Sequence, residues 1–202
     1  MRIAEACQQI ALAREQRVIV ATMGAMFAFD ALGVDALRLS SVPLMGGAAG
    51  LGLGLALANP EVGVIVVDGD ASLLMQLGGL VTVADSGVSN FIHFVIDNGA
   101  QFAGTSNLPV PGGETVDFCA MALAAGYASA HAFDNAAALG DALPALLAAP
   151  GPTFVTLTIE PEPARFGPQL QQPEMPDRQF QRMGMEAEQL GVWYATHVKS
   201  PR

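Results

Sequence analysis

The stretch Val62-Gly63-Val64-Ile65-Val66-Val67-Asp68-Gly69-Asp70-Ala71-Ser72, with its echo Phe91-Ile92-His93-Phe94-Val95-Ile96-Asp97-Asn98-Gly99, decides the fold. Val62–Val67 and Phe91–Ile96 are apolar runs of strand length, the pattern of strands buried on both faces in a parallel sheet. Polar residues follow each run at once. Asp70 and Asn98 are therefore expected at the carboxyl ends of two buried strands, the edge where open α/β sheets bind ligands. A carboxylate and an amide carbonyl offer the hard oxygens that magnesium takes. The pair reads as a site for a magnesium-bound phosphate compound.

Outward from this pair, βα alternation continues in both directions. Residues 3–16 read as a helix, Val18–Thr22 as a strand, Leu37–Val42 as a second strand and Gly46–Ala58 as a Gly/Ala helix stopped by Asn59-Pro60. Ser72–Asp85 is expected as a helix with Ser72 as a candidate cap. A polar loop follows from Asn98 to about Gly113. Asp117–Ala125 and Asn135–Ala149 read as helices, Ala128–Phe133 and Thr153–Ile159 as strands. This predicts a three-layer α/β domain over residues 1–160, with a mostly parallel sheet and helices on both faces. Residues 161–202 read as a Pro-rich tail with a short helix near Asp177–Leu190, carrying Arg165, Phe166, Arg178, Phe180, Trp193 and Tyr194.

Composition narrows the function. The 202 residues carry a net charge of −10, which argues against nucleic acid, whose phosphates need clustered Lys and Arg. Lys199 is the only lysine and lies in the last few residues, so Schiff-base chemistry is not expected. Cys7 and Cys119 have no metal-binding spacing and read as small buried thiols. Leu39–Pro60 lacks charge and is long enough to span a bilayer, with Gly46, Gly50 and Gly54 four apart. Ser40, Ser41, Pro43 and Asn59 dilute its ends, however, so a buried helix is expected rather than a membrane span. With no secretory pattern at the start, the chain reads as cytoplasmic.

The paired motif resembles the thiamine diphosphate signature, Gly-Asp-Gly followed about 25 residues later by Asn-Asn. Here it is written Gly69-Asp70-Ala71 and Asp97-Asn98. Val18–Gly24, Met45–Ala58, Val64–Leu80 and Asn90–Pro109 are similar to the diphosphate-binding domain of sulfopyruvate and phosphonopyruvate decarboxylases. The resemblance implies a thiamine-diphosphate-binding fold over about residues 1–160. It implies Mg2+ held by Asp70, the Asn98 side chain and the Ala100 carbonyl. It places Thr22, Gly24, Met45, Gly46, Gly69, Asp70, Ala71, Ser72, Asn98, Ala100, Gln101 and Phe102 around the cofactor. Ala71, where the family has glycine, keeps its amide donor, and the helix starting near Ser72 faces the anion. Met45 would act as the support that bends the cofactor. Gln101, Thr105, Ser106 and Asn107 are further candidates for diphosphate or substrate.

The family also needs a glutamate at the cofactor's aminopyrimidine, supplied by a second, pyrimidine-binding domain. Glu5, Glu15, Glu61 and Glu114 have no matching context. The resemblance thus implies a separate partner subunit that supplies the glutamate, in a hetero-oligomer of α2β2 or larger stoichiometry. The reaction implied is decarboxylation of a small 2-oxo acid to an aldehyde, or carboligation to an acyloin. Family members follow the first strand with a polar stretch of the type Gly-His/Tyr-Thr-Ser-Arg-Glu, where this chain has Gly24-Ala25-Met26-Phe27-Ala28-Phe29. Loss of the basic residue argues against a doubly anionic substrate. Met26, Phe27 and Phe29 are expected to line a more apolar pocket. His93 and His131, inside strands, read as structural. Two other readings stay open at this stage. One is a non-catalytic assembly partner of a thiamine enzyme. The other is a nicotinamide-dependent dehydrogenase, suggested by Gly50, Gly52 and Gly54 but lacking a Gly-x-Gly-x-x-Gly that opens a helix after a strand.

Overall fold

Among the described residues, eight strands and eight helices follow from these runs. A computed structural model describes residues 1–41, 44–104, 106–163 and 179–197, with backbone alone at 179 and 180. The strands are β1 (Val18–Ala21), β2 (Arg38–Ser40), β3 (Val64–Gly69), β4 (Phe91–Asp97), β5 (Ala100–Gln101), β6 (Leu108–Pro109), β7 (Ser129–Phe133) and β8 (Thr153–Thr158). The helices are α1 (Ile3–Ala13), α2 (Met23–Ala31), α3 (Ala48–Ala58), α4 (Asp70–Met75), α5 (Gly79–Asp85), α6 (Phe118–Ala125), α7 (Ala136–Ala148) and α8 (Gln179–His197).

Six strands form one sheet in the order β2-β1-β3-β4-β8-β7, and every pairing in it is parallel. Alternate residues of each strand feed two separate cores. Ile65, Val67, Phe94 and Ile96 pack with Cys7 and Ile10 of α1, Met26 and Phe29 of α2, and Leu139 and Leu143 of α7. Val64, Val66, Phe91 and Val95 pack on the other face with α3, α5, α6 and α8. Each fully buried aliphatic or aromatic side chain contributes about 1.5–3 kcal/mol. Helices thus cover both sheet faces, as strands without polar alternation require.

The chain winds outward from β1 to β2, then returns to the other side of β1 to lay down β3 and β4. The order reverses between β1 and β3, so the carboxyl ends of these neighbours form the switch-point crevice where doubly wound sheets bind ligands. Thr22 leaves β1 there, and its N–H donates to Val67 O at 3.0 Å.

Several elements differ from the sequence expectation. Met23–Ala31 is a helix that its almost uniformly apolar sequence did not mark. The expected Ser72–Asp85 helix begins at Asp70 and divides into α4 and α5, broken across Gln76–Gly78. Ser72 is not its cap: Gly69 holds the N-cap position, and the Ser72 hydroxyl bonds elsewhere. The 98–113 loop contains the antiparallel β5–β6 pair. The expected strand Leu37–Val42 is β2 alone among the described residues, and Val42 lies outside them.

The tail helix is longer than expected and docks on the sheet edge. Glu186 of α8 accepts from the Ser40 N–H at 2.6 Å and from the Ser40 hydroxyl at 3.0 Å, so the outer side of β2 is covered. Arg182 binds Asp30 of α2 at 2.7 and 2.5 Å and Glu186 at 3.0 Å. Arg38, its side chain fully buried, donates to Asp30 at 2.8 Å and to Met26 O at 2.8 Å. Hydrogen bonds from Arg182 and Arg38 hold the Asp30 carboxyl below its ordinary range, against the opposing effect of burial. No helix among the described residues is long and apolar enough to cross a membrane. Arg165, Phe166 and Arg178 lie outside the described residues, as does the Phe180 side chain.

Candidate functional site

At the end of β3 the backbone passes straight from strand to helix, and Asp70 becomes the first residue of α4. Its side chain is 3% exposed. One carboxylate oxygen accepts from the Asn98 N–H at 3.1 Å and the Gly99 N–H at 2.7 Å; the other accepts from the Ala71 N–H at 2.6 Å. The two halves of the motif are therefore joined by Asp70 itself. Burial raises the Asp70 carboxyl above its usual range despite these three donors, and the neighbouring Asp97 charge adds to the rise. Asp97 is likewise raised by burial. No Arg, Lys or His among the described residues forms an ion pair with Asp70.

Asn98 follows β4, and its side-chain oxygen accepts from the Ala100 N–H at 3.0 Å. Gly99 has φ of +66°, a conformation that favours glycine, and a Cβ added at Gly69 or Gly99 meets nothing within 4 Å. Open space therefore lies beside both turns. A magnesium ion with a diphosphate suits this donor set: a carboxylate, an amide oxygen and a backbone carbonyl, all hard oxygens with no competing side-chain cation. No three His, Cys, Asp or Glu side chains converge among the described residues, so no all-side-chain metal cage is present there.

The Met45-Gly46 turn meets the same place. The Gly46 N–H donates to the Ser72 hydroxyl at 2.8 Å in a buried hydrogen bond. Gly46 has φ of +85°, and a Cβ on it would come within 2.7 Å of the Gln76 Cβ. A cavity of about 370 Å³ opens beside it, lined by Leu44, Met45, Gly47, Leu53, Gln76 and Gly79. A larger one, about 540 Å³, lies at the opposite, amino-terminal end of the strands and is lined by Arg17, Asn59, Trp193 and His197. Size alone thus points away from the motif. The Asp70 turn, tied by hydrogen bonds to the Asn98–Gly99 turn, lies at the switch point and away from the larger cavity's lining.

The remaining candidates divide. Thr22 sits at the crevice as the N-cap residue of α2, and Gly24 is exposed in the first turn of that helix. Ala71 keeps its N–H, but Asp70 accepts it. Gln101 is half-buried in β5, and Phe102, 53% exposed, follows it with φ of +54°. Asn107 is committed to the loop's own structure: its carbonyl accepts from the Gly104 N–H at 2.8 Å and its amide donates to Glu162 O at 2.6 Å. Ser106 is exposed, and Thr105 lies outside the described residues. Met26 and Phe29 do not line a pocket. They are 1% and 0% exposed, packed beneath the sheet because α2 turns that side inward, whereas Phe27 is 48% exposed. Cys7 is buried, which pushes its thiol up to about 12 and leaves it unreactive. The sequence reading missed the Asp70 bonds to the Asn98 and Gly99 amides and the Gly46–Ser72 bond, because their partners are far apart along the chain.

A buried acidic turn at a switch point, tied to a second strand end, lies where doubly wound parallel sheets bind cofactors. Residues 33–157 match the family of thiamine pyrophosphate enzymes at its C-terminal TPP binding domain, and the chain belongs to that family. It is 44% identical over 120 residues to a phosphonopyruvate decarboxylase of Streptomyces viridochromogenes, covering 59% of this chain and 30% of that one. Against the phosphonopyruvate decarboxylase of Streptomyces hygroscopicus the identity is 40% over 160 residues, covering 79% and 38%. The sulfopyruvate decarboxylase subunit beta of Methanothermobacter thermautotrophicus is 36% identical over 119 residues, covering 58% of this chain and 59% of the subunit. The chain thus spans about a third of the phosphonopyruvate decarboxylases it matches. Its fold is shared with a thiamine diphosphate-dependent 4-hydroxybenzoylformate decarboxylase of Rhodococcus jostii RHA1, at a TM-score of 0.67 and 20% identity, covering 80% of this chain and 33% of that one.

Proposed function

We propose that this chain is the diphosphate-binding subunit of a two-chain, thiamine-diphosphate-dependent 2-oxo acid decarboxylase or carboligase. The observation that carries this reading is the Asp70 carboxylate, buried at the switch point and tied to the turn that presents Asn98. Asp70, the Asn98 side chain and the Ala100 carbonyl would hold Mg2+, which would supply positive charge for the diphosphate. Thr22, Gly24, Gly46, Gly69, Ala71, Ser72, Gln101 and Phe102 line the cofactor's place, and Met45 supports it beside the cavity. Bound thiamine diphosphate supplies an ylid carbon and an electron sink for carbanions derived from 2-oxo acids. Residues 1–160 form the binding domain in this reading, and 161–202 a tail whose helix α8 covers the sheet edge.

The activating glutamate comes from a pyrimidine-binding partner, so the reacting centre lies between unlike chains. The resemblance to a protein named as the beta subunit of a sulfopyruvate decarboxylase supports this. The apolar stretch after β1 supports a small 2-oxo acid without a sulfonate or phosphonate. Turnover of 2-oxo acids by the purified chain, alone and mixed with a pyrimidine-binding chain, tests the reading. It predicts activity only in the mixture. Full activity of the chain alone contradicts it.

A further inference from the structure

Beneath the Gly69–Asp70 turn, three polar side chains face one another within an apolar layer. Asp68 of β3 is 1% exposed and His93 of β4 is 0% exposed. In the parallel register Val66 pairs with His93 and Asp68 with Val95, so the two side chains share one sheet face, a step apart. His93 Nε2 lies 3.7 Å from the Asp68 carboxylate and has no hydrogen-bond partner. His93 Nδ1 lies 3.2 Å from the Tyr127 hydroxyl. The rings of Phe91, Phe154 and Tyr127 surround the imidazole and exclude water. The other Asp68 oxygen accepts from the Gly69 N–H at 2.8 Å, at the entry to the metal turn.

A polar atom buried without a partner is destabilising, a cost that an apolar side chain in the same place would avoid. Burial first, and the Asp68 charge second, hold the Tyr127 phenol well above its ordinary range, so it keeps a proton to offer Nδ1. A phenol that donates to Nδ1 leaves the imidazole proton on Nε2, the nitrogen that faces Asp68.

We infer that His93 is a positioning residue for the Gly69–Asp70 turn: Tyr127 sets its tautomer, its Nε2–H steers the Asp68 carboxylate, and Asp68 fixes the Gly69 amide. The consequence for cofactor binding rests on the function proposed above. The steering itself is a property of the empty chain, so the two are separable.

Gln in place of His keeps a donor where Nε2 stands, whereas Asn keeps only a group where Nδ1 stands. Amide hydrogen exchange on the folded chain without cofactor reads the steering. His93→Asn is expected to speed exchange at Gly69 about tenfold relative to the wild type, and His93→Gln to stay within about twofold, with Val95 unchanged in both as the control for folding. Tyr127→Phe, which preserves the packing, is expected to speed Gly69 exchange as well. In titrations of the chain–partner complex with magnesium and thiamine diphosphate, His93→Asn is expected to weaken affinity about tenfold and His93→Gln to spare it. Equal Gly69 exchange in His93→Asn and His93→Gln overturns the inference, as does an unchanged Gly69 rate in Asp68→Ala. If the exchange difference stands while the wild type takes up no cofactor, the proposed function fails and the steering holds.

Discussion

The Ser72 hydroxyl accepts the Gly46 N–H at 2.8 Å, and this one buried bond joins the turn before α3 to the helix that begins with Asp70. Met45 and the acidic turn are 25 residues apart in sequence, yet the bond fixes their relative position. Ser72→Ala strands a buried donor and is expected to cost about 1–3 kcal/mol in urea unfolding. Ser72→Thr, which keeps the hydroxyl, is expected to lose less. Equal losses in the two variants contradict the role given to the hydroxyl.

The clasp of α8 is a second point of leverage. Glu186→Ala removes the acceptor for Ser40 and leaves Arg38 and Arg182 without one of their carboxylates. Leaving the buried Ser40 N–H without its acceptor in this partly exposed cluster is expected to cost about 1–3 kcal/mol. Limited proteolysis is expected to release the tail from Glu186→Ala well before the wild type. The clasp is also expected to weaken in acid. Because Asp30 has a folded pKa below its unfolded one, its contribution is fully present above the unfolded value and disappears as pH falls through the carboxylate range toward the folded value. The wild type is therefore expected to lose stability across that window, and Asp30→Asn to lose less. Parallel pH profiles for the two contradict the assignment.

The two strand-end turns that carry Asp70 and Asn98 are legible in the sequence, because they sit directly behind two apolar runs. Val64–Gly69 and Phe91–Asp97 form the strands expected of them, within a residue or two at their ends. What escaped the sequence has physical reasons. Helix α2 has too little apolar–polar contrast to show a helical period. The break between α4 and α5 falls on Gln76–Gly78, which a window spanning the whole segment averages away. The β5 and β6 strands are two residues each, below the length at which alternation can be seen. Glu186 and Ser40 meet across 146 residues, and neither carries a local sign of the other. Met26 and Phe29 were expected at a pocket because their positions follow β1, but the helix rotation sends both into the core.

In the proposed function, the lack of a basic residue after β1 also bears on substrate choice. With no basic residue in Gly24–Phe29, the complete complex is expected to favour pyruvate or a branched or aromatic 2-oxo acid over sulfopyruvate. Competition assays that give kcat/KM for each acid decide it. A strong preference for the sulfonate contradicts the expectation.

The central claim is that Asp70 anchors a magnesium–diphosphate cofactor at the end of β3. Calorimetric titration of thiamine diphosphate into the chain–partner complex, with and without Mg2+, on wild type and Asp70→Ala, tests it most directly. Saturable binding is expected in the wild type with Mg2+, and none in Asp70→Ala or without the metal. Isotherms that coincide for wild type and Asp70→Ala contradict it.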